Sequence, residues 1–165
     1  MVVKIVTDST ADIPPDVAQE LGIKVIPVYA RFGETVYRDG VNLDHQQFYE
    51  LLAASSNHPA TSQPTPEDFA RLYRDSCRNA EGIVSIHISD KLSATCNSAL
   101  LVGKQADITC PIEVIDSGYN LMGLGLLVIE AARLARKGAS MGDVLNETRM
   151  MMAKVCMMGV FNTLK

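Results

Sequence analysis

At 165 residues the chain has the length of one domain and enough material for a sizeable core. Apolar residues make up 47% of it, with four Phe and no Trp, so the interior is expected to be aliphatic and layered. A net charge of −4 and a pI near 5.3 argue against a nucleic-acid footprint, and no Lys or Arg run suits an anionic membrane surface.

In chain order, "VVKIV" at 2–6 reads as a buried strand. The opening "MVVKIVTDST" turns polar too early for a signal peptide. "PPDVAQELG" reads as a helix, with Pro15 in its first turn and Gly22 as its stop. "KVIPVYARF" reads as a second strand, which Pro27 demotes to an edge or a bulge. "GETVYRDG" continues as a hairpin arm and a turn. "DHQQFYELLAA" is a helix capped by Asp44, with Gln47 completing a capping box. "NHPATSQP" reads as a loop, and "TPEDFARLYRDSC" as a helix capped by Thr65.

A strand at 82–88, "GIVSIHI", precedes a helix from Ser93, "SATCNSALLVGKQA". "PIEVID" is a strand at about 112–116. "YNLMGLGLLVIEAARLARKG" is a long helix ending at Gly138, and Ser140 caps a Met-rich helix behind it. "CMMGVFNTLK" reads as a last strand. The longest apolar run, "LMGLGLLVI", falls short of the roughly 20 residues that span a bilayer. Cys77, Cys96, Cys110 and Cys156 lack zinc spacing and are read as small buried thiols in a reducing cytosol. The chain therefore reads as a soluble cytoplasmic protein. Alternation of strands and helices predicts an α/β layered domain with a mainly parallel sheet flanked by helices.

Three strands leave through short polar residues: Asp8 and Ser9, Ser89 and Asp90, Asp116 and Ser117. In a parallel sheet these exits share one edge, where ligands of such folds bind. They also suit plain helix capping. No glycine-rich loop or lysine follows any of them, which disfavours a polyphosphate. "GLG" at 123–125 is read as helix packing. One small anion, held by backbone N–H groups and the hydroxyls of Ser93, Thr61 and Ser62, fits better. The rival is a hydrolase or transferase with Ser93 as nucleophile and His58 or His87 as base. His45 starts a helix, and the three histidines lack metal-ligand spacing.

"VTDSTADIP", "ATSQPTPEDF", "ISDKLSATCNSA" and "VIDSGYNLMGLGLLV" resemble, in order, the four signature blocks of the DegV family of bacterial fatty-acid-binding proteins. The resemblance implies a protein that sequesters a long-chain fatty acid such as palmitate, with no catalysis and no cofactor of its own. It also implies a partner, the separate ATP-binding subunit of a fatty acid kinase, which phosphorylates the bound carboxylate for phospholipid synthesis. Carried over to matching positions, Thr61 and Ser93 would hold the carboxylate, with Ser62 and the backbone N–H of Ala94 next. Ala94 stands where the family usually has Gly. Family members are longer, so residues 1–158 are expected to form the first domain and 159–165 to begin a second. Without that second domain, an apolar face is expected to favour self-association.

Overall fold

The computed structural model describes residues 2–55, 58–105 and 107–160. A four-stranded parallel sheet forms its centre. Its order is β2 (Lys24–Ile26), β1 (Val2–Asp8), β6 (Ala80–His87) and β7 (Ile112–Asp116). A second sheet is antiparallel, ordered β4 (Thr35–Arg38), β3 (Tyr29–Phe32) and β5 (Ala60–Ser62). The helices are α1 (Pro15–Leu21), α2 (His45–Ala54), α3 (Pro66–Cys77), α4 (Thr95–Gly103), α5 (Leu121–Arg136) and α6 (Met141–Met152).

Side-chain alternation along the strands divides the core in two. Val3, Ile5, Val84 and Ile86 face α1, α5 and α6 through Ala18, Leu124, Val128 and Val144. Val6 and Ile83 face α3 and α4 through Phe69, Tyr73, Ala99 and Val102. Both faces of the parallel sheet are thus covered, as its apolar strands require. Asp44, Thr65 and Ser140 cap their helices as the sequence predicts, and each closes a capping box, which the sequence reading expects for Asp44 alone. The GLG pair is a packing device: a methyl group on Gly125 would collide with the Ala11 carbonyl oxygen.

The structure corrects four expectations. The run around Pro27 is two strands in two sheets, because a residue without an N–H cannot continue the ladder between Ile26 and Tyr29. The "ATSQP" segment is not all loop: β5 pairs with β3. Residues 153–160 form no regular strand, and Tyr119 instead ties this segment down by donating to the carbonyls of Met152 and Val155. Nor are all four cysteines buried thiols. Cys77 and Cys110 are joined in a disulfide that ties the end of α3 to the approach to β7, and Cys156 is exposed. Cys96 does fit the expectation. Burial, helped by the charges of Asp116, Asp90 and Asp8, pushes its thiol up to about 12. A second domain is expected to begin at 159–165; of these, Gly159 and Val160 are exposed and form no regular element, and 161–165 lie outside the described residues.

Candidate functional site

The three polar strand exits meet at one edge of the parallel sheet, as expected. The Asp8 carboxylate leaves β1 and accepts from the Ile88 amide at the exit of β6. Ser117 N–H, beyond β7, donates to the His87 carbonyl, and Ser89 N–H donates to the Tyr119 carbonyl. Asp116 accepts from the backbone N–H groups of Asp90 and Gly118. These polar residues therefore bolt neighbouring strand ends together as well as facing the edge.

Ser93 sits in the turn that follows. Its own N–H and that of Leu92 both donate to the Ser89 carbonyl, so the strand exit fixes the turn. The helix opens two residues later than predicted. Ala94 is the capping residue, at φ −74° and ψ 4°, and its side chain gives no cap. That φ lies in a region open to alanine, so the residue is unstrained without glycine's freedom. The Ser93 hydroxyl lies 2.9 Å from that of Thr95. A helix start with amide donors and two hydroxyls attracts negative charge.

Thr61 and Ser62 lie on β5, at the edge of the small sheet, and both are exposed. Thr61 is paired with Ala30 and Ser62 with Tyr29, so the two point to opposite faces. Strand β3 is anchored to the exit of β1 because Val28 N–H donates to the Ser9 hydroxyl. Among the described residues, no hydrogen bond links Thr61 or Ser62 to the Ser93 turn. A cleft of about 630 Å³ opens beside the exits of β1 and β2, walled by Ala11, Ile13, Pro14, Val25, Pro27 and Val41. Its lining does not include Thr61, Ser62, Ser93 or Ala94.

Among the described residues, no hydrogen bond joins Ser93 to either candidate base. His58 is exposed. His87 is fully buried, with Nε2 2.7 Å from the Ser85 hydroxyl and Nδ1 2.9 Å from the Asp8 carboxylate. Tyr73 donates to Ser85 at 2.9 Å. One direction of donation satisfies the whole chain: Tyr73 to Ser85, Ser85 to Nε2, and Nδ1–H to Asp8. Burial raises the Asp8 carboxyl, but the hydrogen bond from His87 and the donors of Thr10 and Ile88 outweigh it, leaving Asp8 below its ordinary value. Burial raises the Tyr73 hydroxyl. Asp8, His87 and Ser85 have the composition of a catalytic triad, yet all three are fully enclosed. No substrate can reach Ser85, so the chain of bonds is a core network joining β1, β6 and α3. The sequence reading missed this network, although Ser85 and His87 two residues apart in "VSIHI" share one strand face.

Among the described residues, no cluster of His, Cys, Asp and Glu could hold a metal, and no helix is long and apolar enough to cross a membrane.

A comparison with known structures places the fold firmly. The fatty-acid-binding DegV of Bacillus subtilis superposes with a TM-score of 0.88 at 31% identity, over 93% of this chain and 54% of that one. A DegV family protein from Thermus thermophilus, described for its fatty acid binding, superposes with a TM-score of 0.84 at 35% identity, over 93% and 54%. A stearic-acid-binding protein from Eubacterium ventriosum superposes at 0.81 and 27% identity, over 89% of this chain and 52% of that one. In sequence, a DegV domain-containing protein of Deinococcus radiodurans is 38% identical over 145 residues, 88% of this chain and 51% of the relative. The chain thus spans about half the length of the curated relatives it matches. The DegV family model matches residues 2–165, and the chain belongs to that family.

Proposed function

We propose that the chain binds a long-chain fatty acid such as palmitate. The carboxylate is received by the hydroxyls of Ser93 and Thr61 and the backbone N–H of Ala94, while Ser62, on the opposite face of β5, lies outside this set. The observation that carries this reading is the start of α4, where the hydroxyls of Ser93 and Thr95 stand in a turn fixed by Ser89, the Thr95 N–H donates to Ser93 Oγ, and the capping residue Ala94 offers no side-chain acceptor of its own. The fatty-acid-binding relatives with the same fold support it. The protein performs no chemistry itself. It presents the carboxylate to an ATP-binding kinase subunit in the cytoplasm, and the acyl phosphate feeds phospholipid synthesis.

Exposed apolar residues gather at this edge. Leu92 lies in the Ser93 turn, Leu121 and Met122 begin α5, and Met157 lies against Gly123. They suit the acyl tail and self-association of the chain. Each buried methylene contributes about 0.8 kcal/mol, and a hydrogen bond to a charged head group about 1.5–3 kcal/mol. A tail of a dozen methylenes therefore supplies roughly 10 kcal/mol before the costs of association. The tail sets affinity, and the hydroxyls set orientation.

The test compares Ser93→Ala and Thr61→Val with the unaltered chain in two assays. Palmitate binding should weaken about tenfold, as loss of one such bond implies. Phosphoryl transfer by the kinase subunit should fall much further. Equal losses in the two assays would overturn the division of labour.

A further inference from the structure

The small antiparallel sheet carries a concentration of positive charge on a chain whose net charge is −4. Arg38 on β4, Tyr29 on β3 and Ser62 on β5 are directly opposite one another, so their side chains share one face. Arg31, two residues from Tyr29, shares that face. Arg71 reaches toward the same place from α3 and donates to Asp68 at 2.7 Å. Asp68 is already heavily engaged. It accepts from the Tyr29 hydroxyl at 2.7 Å and from Thr65, and its carboxyl is held below its ordinary value, the cost of burial being outweighed by these donors and by Arg38.

Arg38 is the incompletely used member. Its Nη2 stands 3.7 Å from the Asp68 carboxylate, beyond hydrogen-bond length. Its Nε is shut away from solvent with no hydrogen-bond partner among the described residues. A donor sealed without an acceptor is costly, and it marks a place where an acceptor belongs. The side chain is 40% exposed, so the guanidinium is free to turn toward a ligand. Three guanidinium groups against one carboxylate leave two positive charges uncompensated. That balance matches a phosphate, which carries about −1.5 to −2 at neutral pH, better than a single carboxylate.

We infer that Arg38, Arg31, Arg71 and the Ser62 hydroxyl form an oxyanion site for a phosphate group, on the face of the small sheet that meets the start of α3. Arginine suits this work because its planar fork gives paired donors to such oxygens. The inference goes beyond the fatty-acid reading and does not depend on lipid, since Ser62 faces away from Thr61.

The experiment is a ³¹P NMR titration of the delipidated chain at fixed ionic strength, with inorganic phosphate and propyl phosphate run separately. Saturable binding is expected, and the tighter of the two probes identifies the source as free anion or phosphorylated ligand. Arg38→Met should weaken it about tenfold or more, the worth of a charged hydrogen bond. Arg38→Lys, which keeps the charge and loses the fork, should also weaken it and serves if the Met variant fails to fold. No saturable binding by the unaltered chain, or equal binding by the folded Arg38 variants, overturns the inference. Neither result bears on lipid retention, so the two readings fail separately.

Discussion

Replacing Asp8 by Ala should be among the most damaging single changes in the molecule. The carboxylate receives His87 Nδ1 at 2.9 Å, the Ile88 amide at 3.0 Å and the Thr10 amide at 3.2 Å. His87 is fully buried, so its ring N–H has no water to turn to. Stranding a buried donor costs about 1–3 kcal/mol, and Asp8→Ala strands two buried ones, His87 Nδ1–H and the Ile88 amide, so a loss of about 3–5 kcal/mol is expected. For a chain of this size, 3–5 kcal/mol lowers the melting temperature by about 6–20 °C. Asp8→Asn keeps the shape and some acceptor capacity, and should cost roughly half as much. The pH dependence follows from the direction of the shift. The carboxyl is depressed in the fold, so its stabilisation is full above the ordinary aspartate value of about 3.9. It is lost as pH falls through the lower folded value. The gap between the unaltered chain and Asp8→Asn should therefore close in that acidic window. Urea and thermal melts followed by circular dichroism read both effects. A loss below about 1 kcal/mol for Asp8→Ala would refute the reasoning, since the stranded donors alone should exceed it.

Other outcomes follow from separate parts of the structure. The Cys77–Cys110 bond closes a loop with a sequence separation of 33, which corresponds to about 3–4 kcal/mol of chain entropy. Melts with and without a reductant should differ accordingly, and a thiol count of two in the denatured, unreduced protein checks that the bond is present. In the native protein Cys156 should react with a maleimide at once, while Cys96, buried and with its thiol raised, should wait for unfolding. Gly125→Ala should destabilise by about 1–3 kcal/mol, because the added methyl meets the rigid Ala11 backbone. Gly123→Ala should cost less, because the methyl meets the flexible end of Met157, and limited proteolysis should then find the 153–160 segment loosened.

Much of this architecture was legible because local chemistry and packing agree. Asp44, Thr65 and Ser140 sit at helix starts, and each caps its helix as predicted. The β-branched runs became buried parallel strands, and the polar exits do share an edge. Long-range pairing was less accessible. Nothing local to "ATSQP" says that it adds an edge strand to β3, and the partners Cys77 and Cys110 are brought together by α3 and β7. His87 shows the same limit. Its strand position was readable, but its face was fixed by Ser85, Asp8 and Tyr73 on three different elements. Within the proposed head-group site, the Ser93 turn follows from the strand exit that precedes it. The relation of that turn to Thr61 depends on how two sheets meet, which no single motif encodes.

The most direct measurement of the central claim is native mass spectrometry of the purified chain with palmitate added, followed by organic extraction. The account predicts a one-to-one complex, weakened by Ser93→Ala and restored by excess fatty acid. A chain that carries no lipid from the cell and takes up none at high palmitate concentration would contradict it.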